Sequence, residues 1–489
     1  MIKSNEKVRF VCFLVLLSAS ILSIGLMTDV FLGDEVAHFY FAKMIYEFKE
    51  LPAYDPLYGG LNDPGNYAIG YEPFWHILLS IIWKLTGGIS TLTAQIYQLG
   101  YYILLLISTF LLGRHLGGDK TGLWAAFLVG TTPMVVVFST LFYLDIPSVA
   151  FITLCVYFVL SKRIGIAGIL LGLVYLTKRN GLFLLPSILF MLIDSVGFKE
   201  KGTWIRKIFI FLGVCFLVAL PDMIRRFWDF GSIYAVPLVQ YERVYIDPPI
   251  LRYMPSSAVN PWDVISYVGI ASILLLFVFL FGKREKKGIL PFAPIVNYLI
   301  VFPMFFGYYM GGYDVRYLMP IIPFLCVIGG LAISSFSGRR WFQIGVTLIC
   351  ILQFVGSERA VYQKRKPSLD AMETFTYIKE NTAKEALILY PEDNLLYLAE
   401  RKPVWGRFRF LPYLFWKATP DEMKDIFGRN RLGYLLIKKS RVYDDSKEGH
   451  HTGGYPISFM AKLSSLPFIK LIYENNNFSL WRVNLKQAN

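Results

Sequence analysis

The stretch Gly33-Asp34-Glu35-Val36-Ala37-His38 directly follows the first long apolar run of the sequence, which extends from Val11 to Leu32. A helix of about 20 apolar residues is long enough to cross the hydrocarbon core of a bilayer. The adjacent carboxylates Asp34 and Glu35 are therefore expected at the membrane surface opposite the N-terminus. This arrangement predicts a membrane protein with an acidic site at one bilayer surface.

The two carboxylates have two interpretations, and both stay open at this point. Asp34 can cap a helix from Glu35 to Phe48, with Glu35 stabilised by the positive end of the helix dipole. Alternatively, Asp34 is a general base, and His38 lies one turn further along the same helix face. Capping does not exclude catalysis.

Composition places the chain among the multi-span membrane proteins. Of its 489 residues, 55% are hydrophobic and the mean hydropathy is +0.48, so the chain is too apolar for a soluble protein. It is also too long for a protein with only one or two spans. The formal net charge is +14, but the basic residues form short clusters between apolar runs, as in cytoplasmic loops. We therefore expect no nucleic-acid partner. The five cysteines all lie in apolar runs and predict neither a disulfide framework nor a metal site.

The apolar runs predict about eleven spans, the first of them an uncleaved N-terminal span. If successive loops are placed on alternate sides of the membrane, the lysine and arginine clusters all lie on one side. Because such clusters are enriched on the cytoplasmic side, this predicts a cytoplasmic N-terminus and an extracytoplasmic C-terminus. The predicted spans are Val11 to Leu32, Leu92 to Leu112, Gly122 to Phe138, Ile146 to Leu160, Ile164 to Tyr175, Gly181 to Ile193, Ile208 to Leu220, Val264 to Phe281, Ile289 to Tyr309, Leu318 to Ile333 and Phe342 to Val355.

The first outer loop, residues 33–90, carries aromatic residues and turn formers around Tyr71-Glu72-Pro73-Phe74-Trp75-His76. An aromatic belt at the membrane interface explains this composition as well as a sugar-binding surface does. His76 by itself is more often a structural hydrogen-bonding residue than a catalyst.

Later outer turns hold a carboxylate and several cations. Asp145 lies between two apolar runs, where a charge costs about 2.5 to 3.5 kcal/mol unless it is paired or wet, although a helix cap also explains it. Lys178 and Arg179 are adjacent cations on an outer turn, although lysine and arginine are usually enriched in cytoplasmic loops. They predict an anion, which is a phosphate at the membrane surface, a lipid headgroup or Asp145. Arg316 is at the start of a span, where snorkelling is the alternative explanation.

Together these motifs resemble a known superfamily, the GT-C membrane glycosyltransferases. The closest branch contains the protein O-mannosyltransferases and the lipid A aminoarabinose transferases, and the resemblance covers about the first 340 residues. The motifs that carry it are Gly33-Asp34-Glu35, Leu144-Asp145-Ile146-Pro147, Thr177-Lys178 and Arg316-Tyr317-Leu318-Met319-Pro320.

The resemblance implies an enzyme that moves a sugar from a polyprenyl or dolichyl phosphate to an acceptor hydroxyl outside the membrane, with inversion at the anomeric carbon. It implies a catalytic acid at Asp34 with Glu35 beside it, and a second acid at Asp145 that orients the acceptor or supports the base. Several bacterial lipid A members keep a lysine in the Tyr-Pro segment, whereas Glu72 precedes Pro73 here, which makes a lipid A substrate less favoured.

The chemistry of such a transfer assigns further residues. A departing phosphate needs nearby cations. The predicted phosphate-binding residues are Lys178, Arg179, Arg316, Arg225 and Arg226, and the predicted substrate contacts are His38, Tyr71, Glu72, His76 and Tyr317. No cofactor is required, although a divalent cation at Asp34, Glu35 and His38 is compatible with the scheme. The expected partners are the lipid-linked sugar, the bilayer, and a protein, a glycolipid or a lipid-linked glycan as acceptor.

The sequence divides into a membrane-embedded all-α catalytic module, residues 1–357, and a C-terminal α/β domain outside the membrane, residues 358–489. The second part is polar and contains strand-like runs at Ala386 to Tyr390, Leu432 to Ile437 and Phe478 to Val483. Two other classes compete with the enzyme. A lipid or glycan flippase would line a path with charges, but the candidate charges gather at one face. A ligand sensor would not need so many spans.

Overall fold

The computed structural model describes residues 16–22, 35–48, 72–230, 268–281, 290–309, 315–336, 340–366, 368–390, 399, 401–404, 418–429, 431–443 and 455–485. Asp34 and Tyr71, a predicted base and a predicted substrate contact, lie outside these residues. So do most of the predicted first span and the Gly33-Asp34 part of the opening motif.

The described residues up to 365 form a bundle of helices. The helices are α1 Glu35–Phe48, α2 Phe74–Thr86, α3 Thr91–Gly117, α4 Asp119–Thr131, α5 Pro133–Thr140, α6 Asp145–Leu160, α7 Ile164–Thr177, α8 Leu185–Val196, α9 Lys201–Phe230, α10 Ile270–Phe281, α11 Phe292–Tyr309, α12 Ile322–Ser335 and α13 Arg340–Arg365. Two 3-10 helices, Arg179–Leu184 and Val315–Ile321, precede α8 and α12. A further helical segment covers residues 16–22.

Close approach of the helix backbones holds the centre of this bundle together. α4 packs along α3 on one side and along α12 on the other. A Cβ atom on Gly122 would lie 2.6 Å from the Phe110 carbonyl oxygen, and one on Gly330 would lie 2.6 Å from that of Thr121. Small residues at such crossings let membrane helices pack closely.

The predicted span from Gly122 to Phe138 is bent rather than straight. α4 ends at Thr131 and α5 begins at Pro133, and their axes differ by 62°. Proline has no backbone N–H to donate to the preceding turn, but it suits the first turn of a new helix. The bend therefore coincides with Pro133, and α5 turns the chain toward Asp145.

Among the residues described, five helices are long and apolar enough to cross a membrane, or six if the bent pair is one span. About eleven spans were expected, and α6 and α7 are among the apolar helices that fall short of this length. The five are Thr91–Gly117, Arg179–Val196, Lys201–Trp228, Arg316–Ser335 and Arg340–Gln363.

The described residues beyond 368 form a five-stranded sheet with helices on both faces. The strand order is β2-β1-β3-β7-β6, with parallel pairing of β1 to β2 and β3, and antiparallel pairing of β7 to β3 and β6. β4 and β5 form a separate pair. The strands are β1 Leu387–Leu389, β2 Lys402–Val404, β3 Tyr434–Lys438, β4 Val442–Tyr443, β5 Tyr455–Pro456, β6 Ile469–Glu474 and β7 Phe478–Val483, and the helices are α14 Leu369–Asn381, α15 Pro420–Arg429 and α16 Ile457–Ser465.

Alternation along β3 explains the two helical layers. Leu435 and Ile437 pack in one apolar cluster with residues of α15 and α16, whereas Leu436 packs in a second cluster with residues of α14. Successive side chains of a strand point to opposite faces of a sheet, so a buried strand with apolar residues at every position is covered on both sides.

Candidate active site

A buried ion pair joins the start of α6 to the end of α7. The Nζ atom of Lys178 lies 2.6 Å from Oδ1 of Asp145, whose side chain has no exposed surface. Leu144 precedes the helix without a side-chain cap bond, and Asp145 lies in its first turn, so its carboxylate serves the ion pair. The anion that Lys178 meets here is thus Asp145, one of the alternatives that the sequence left open.

The second carboxylate oxygen of Asp145 is also buried. Oδ2 has no hydrogen-bond partner among the residues that the structure describes. A buried acceptor without a donor costs about 1 to 3 kcal/mol, so a hydroxyl donor at this position would be favourable.

Arg316 lies near the Asp145–Lys178 pair, because Arg316 and Lys178 both contact the ring of Tyr317. The Tyr317 ring centroid is 5.4 Å from Lys178 Nζ and 5.4 Å from the guanidinium carbon of Arg316. The same guanidinium carbon is 5.6 Å from the ring centroid of Tyr143, two residues before Asp145. These distances suit cation–π contacts. The tyrosine rings therefore hold two cations and one carboxylate together.

Glu35 connects α1 to the turn that precedes Asp145. Its side chain is fully buried, and its Oε1 atom accepts a hydrogen bond of 2.9 Å from the backbone N–H of Phe142. Phe142 belongs to the turn between α5 and α6, just before Asp145. The helix predicted from Glu35 to Phe48 has these bounds as α1, and its first residue is fixed against the turn that carries Asp145.

A larger charged cluster lies between the start of α2, the 3-10 helix after α7, and the end of α9. Oε1 of Glu72 lies 2.9 Å from Nε of Arg179 and 3.6 Å from Nη2 of Arg226. Asp222 pairs with Arg226 at 2.7 Å, with Arg225 at 2.9 Å and with Arg179 at 3.8 Å. Three predicted phosphate-binding arginines therefore meet carboxylates of the chain itself, with one positive charge in excess.

Burial and charge act in opposite directions on Glu72. Burial raises the pKa of this carboxyl above its ordinary value, while Arg179 and Arg226 act to lower it. The ion pairs therefore offset part of the cost of burying this carboxylate. Glu72 acts here as a bridge between α2 and the arginines.

The two predicted histidines contact each other. Nδ1 of His38 on α1 lies 3.0 Å from Nε2 of His76 on α2, and Nδ1 of His76 donates to the carbonyl oxygen of Glu72 at 3.1 Å. Burial lowers the pKa of both rings, and the charges of Lys178 and Arg316 lower that of His38 further. Both rings are therefore neutral near pH 7.

Within the described ranges, no group of three or more His, Cys, Asp and Glu residues is arranged to hold a metal ion. The proposed trio of Asp34, Glu35 and His38 includes one residue outside those ranges. A cation at that trio stays a prediction.

Comparison with known sequences gives one family match. The family model described as dolichyl-phosphate-mannose-protein mannosyltransferase matches residues 72–224, a segment that begins at Glu72 and includes Asp145, Lys178 and Asp222. No curated protein matches the sequence significantly.

Comparison with solved structures identifies the fold. ArnT from Cupriavidus metallidurans, bound to undecaprenyl phosphate, superposes with a TM-score of 0.65 at 11% identity, covering 98% of each chain. The chain therefore has the GT-C fold of ArnT. The oligosaccharyltransferase AglB from Archaeoglobus fulgidus, with an inhibitory peptide and a dolichol-phosphate, superposes with a TM-score of 0.55 at 14% identity, covering 89% of this chain and 70% of AglB.

A third GT-C structure, the arabinofuranosyltransferase AftD from Mycobacteria, superposes with a TM-score of 0.54 at 12% identity over 96% of this chain and 40% of AftD. The resemblance predicted from the short motifs is thereby confirmed. The family match over residues 72–224 and the shared fold are what this chain has in common with these proteins, and its apolar helices are those of a membrane protein.

Sequence reasoning missed Asp222. It lies three residues before Arg225 and four before Arg226 in α9, a spacing at which side chains of one helix meet. That spacing was visible in the sequence and indicates that both arginines have a carboxylate partner. The partnership of Glu72 with Arg179 had no such local signal.

Proposed function

We propose that this GT-C-type protein transfers a sugar from a polyprenyl or dolichyl phosphate to an acceptor hydroxyl at the outer membrane surface, with inversion of the anomeric carbon. The observation that carries the proposal is the buried Asp145–Lys178 pair, with Arg316 held beside it by Tyr143 and Tyr317. This arrangement offers cations for a phosphate and a carboxylate oxygen for a hydroxyl in one place.

The lipid-linked sugar donor is supported by the family match and by the ligands of the similar structures. ArnT was solved with undecaprenyl phosphate and AglB with a dolichol-phosphate. Both ligands carry a phosphate on a long isoprenoid chain. In this protein, Lys178 and Arg316 are the proposed phosphate contacts, and the cluster of Arg179, Arg225 and Arg226 adds a net positive charge next to them.

The proposed reaction is a single displacement. The oxygen of the acceptor hydroxyl attacks the anomeric carbon while the bond from that carbon to the phosphate oxygen breaks. The bonding electrons leave with the polyprenyl phosphate, whose growing negative charge Lys178 and Arg316 stabilise. The hydroxyl proton passes to a carboxylate, for which we propose Asp34 as general base.

Two acids support that base in the proposal. Glu35, the next residue in the sequence, is bonded to Phe142 and fixes the first turn of α1 near Asp145. Asp145, whose Oδ2 atom is buried beside this turn, orients the acceptor or supports the base. The sugar is a hexose or pentose, and the acceptor is a protein, a glycolipid or a lipid-linked glycan.

The decisive experiment is Asp34→Asn, assayed with purified protein in lipid vesicles. Without a carboxylate, proton removal from the acceptor is lost, and general-base catalysis contributes about 100- to 10,000-fold. We expect sugar transfer from dolichyl phosphate mannose to fall by at least 100-fold, with binding of dolichyl phosphate and membrane insertion unchanged.

Asp194→Asn is the matched control, because Asp194 is an exposed aspartate in the last turn of α8. Its activity should equal that of the wild type. Retained transfer by Asp34→Asn would remove Asp34 as the base. Movement of an intact lipid-linked sugar across the vesicle membrane without any transfer would favour the flippase class instead.

A further inference from the structure

The two cations proposed to bind the donor phosphate lie on two short 3-10 helices or directly before them. Lys178 precedes Arg179–Leu184, and Arg316 is the second residue of Val315–Ile321. Hydrogen bonds in 3-10 helices have poorer geometry than those in α-helices, and Pro320 removes one backbone donor from the second segment. We therefore expect other parts of the fold to hold these two backbones in place.

Two consecutive side chains of α11 make such contacts, one to each 3-10 helix. Nδ2 of Asn297 donates a hydrogen bond of 2.6 Å to the carbonyl oxygen of Phe183. The hydroxyl of Tyr298, which is fully buried, donates a hydrogen bond of 2.6 Å to the carbonyl oxygen of Tyr317. The rings of Tyr298 and Phe183 also contact each other, with their centroids 6.4 Å apart. One turn of α11 is thus bonded to both segments.

The hydrogen bond from Tyr298 acts on the residue that both cations contact. The ring centroid of Tyr317 lies 5.4 Å from Nζ of Lys178 and 5.4 Å from the guanidinium carbon of Arg316. Because Tyr298 fixes the backbone of Tyr317, it also fixes the point from which this ring extends between the two cations.

We propose that Asn297 and Tyr298 are positioning residues, which set the distance between Lys178 and Arg316 and so preorganise the site for the phosphate of a lipid-linked donor. This inference rests on the function proposed above and extends it to α11, whose two side chains act through backbone carbonyl oxygens of the 3-10 helices. Cations held at a fixed distance lose little freedom when the phosphate binds, which strengthens binding.

The test is the binding of dolichyl phosphate to the purified full-length protein in lipid nanodiscs, which requires no sugar transfer. Tyr298→Phe removes only the hydroxyl, and we expect the dissociation constant to rise about tenfold, the equivalent of one hydrogen bond. Asn297→Leu keeps a side chain of similar size without the donor and should also weaken binding. Dolichol, which has no phosphate, should bind the wild type and both variants with equal affinity.

Tyr102→Phe is the matched control. The hydroxyl of Tyr102, a fully buried tyrosine of α3, also donates to a backbone carbonyl oxygen, that of Gly130 in α4, at 2.9 Å. We expect a loss of thermal stability similar to that of Tyr298→Phe but no change in the affinity for dolichyl phosphate. An unchanged dissociation constant in Tyr298→Phe, or an equal rise in both tyrosine variants, would overturn the inference.

A double-variant cycle tests whether Tyr298 acts through the cations. Arg316→Gln removes one proposed phosphate contact, so adding Tyr298→Phe to it should weaken binding by less than it does in the wild type. Fully additive losses would show that the hydroxyl of Tyr298 acts by another route and would contradict the positioning role.

The inference and the proposed function can fail separately. A wild type that binds dolichyl phosphate but transfers no mannose from dolichyl phosphate mannose would contradict the transferase alone. Transfer by the wild type, together with equal affinities for dolichyl phosphate in the wild type, Tyr298→Phe and Asn297→Leu, would contradict the positioning role alone.

Discussion

At the scale of single residues, the site consists of charges that the fold has placed in contact. Asp145 has no exposed side-chain surface, and Lys178 neutralises it at 2.6 Å. Removing one partner of a buried ion pair leaves the other charge uncompensated, whereas removing both replaces the pair by neutral groups. Stability and catalysis therefore respond differently to single and double substitutions.

We predict that Lys178→Met lowers the free energy of unfolding by about 3 kcal/mol or more, because Asp145 stays buried without its cation. The double variant Asp145→Asn/Lys178→Met should recover most of this stability but none of the transferase activity. Thermal unfolding in detergent and transfer from dolichyl phosphate mannose measure the two effects.

An exposed ion pair serves as the matched control. Lys43 and Glu47 on α1 lie 3.7 Å apart with about a third or more of each side chain exposed. Lys43→Met should change the stability by less than about 1 kcal/mol. A double variant as unstable as Lys178→Met alone would show that the Asp145–Lys178 pair is not the source of the loss.

At the scale of elements, the helices approach each other closely enough to bring these residues together. α3, α4 and α12 form a close-packed group, and α6 packs between α3 and α7. α1 and α2 contact each other and are joined to this group by Glu35 and Glu72. The position of the site thus depends on close contacts between helices.

We predict that Gly122→Ala destabilises the bundle by about 1 to 3 kcal/mol, since overpacking forces neighbouring backbone to move. The added Cβ atom would lie 2.6 Å from the backbone oxygen of Phe110, which cannot rotate away. The midpoint of thermal unfolding in detergent measures this effect.

Gly100 in α3 provides the control, because a Cβ atom there meets no heavy atom within 4 Å. Gly100→Ala should leave the stability unchanged or raise it by up to about 1 kcal/mol through helix propensity. Equal destabilisation by both alanines would mean that the α3–α4 crossing does not depend on Gly122.

At the scale of the whole molecule, the proposed chemistry requires the acidic end of α1 and the C-terminal sheet to lie outside the cytoplasm. The alternation of basic clusters along the sequence predicts this orientation. We hypothesise that the C-terminal sheet then helps to select the acceptor above the site.

We predict that a cysteine at Asp425 reacts with a membrane-impermeant maleimide on intact cells, whereas a cysteine at Lys199 reacts only after lysis. Asp425 lies on α15 with 53% of its side chain exposed, and Lys199 lies in an exposed turn predicted to be cytoplasmic. The unsubstituted protein is the blank and measures labelling of the five native cysteines, of which Cys155, Cys326 and Cys350 are buried and Cys215 is half-buried. Labelling of Lys199→Cys on intact cells would show that the orientation is the opposite of the predicted one.

The sequence by itself determined the local properties of the chain. The bounds of α1, the strand from Phe478 to Val483 and the membrane class follow from hydrophobic periodicity and composition, which need no knowledge of distant residues. The GT-C resemblance also came from short motifs, because their order along the chain is a linear property.

Only the tertiary structure decided which charges meet. Lys178 had three possible anions in the sequence, and the fold selects Asp145, 33 residues away. Arg179 pairs most closely with Glu72, more than 100 residues earlier, and Glu35 accepts a hydrogen bond from a backbone N–H 107 residues later. The bend at Pro133 likewise turns one predicted span into two helices. Electrostatic partners are set by distance in space, and spacing along a sequence does not specify that distance beyond a few helical turns.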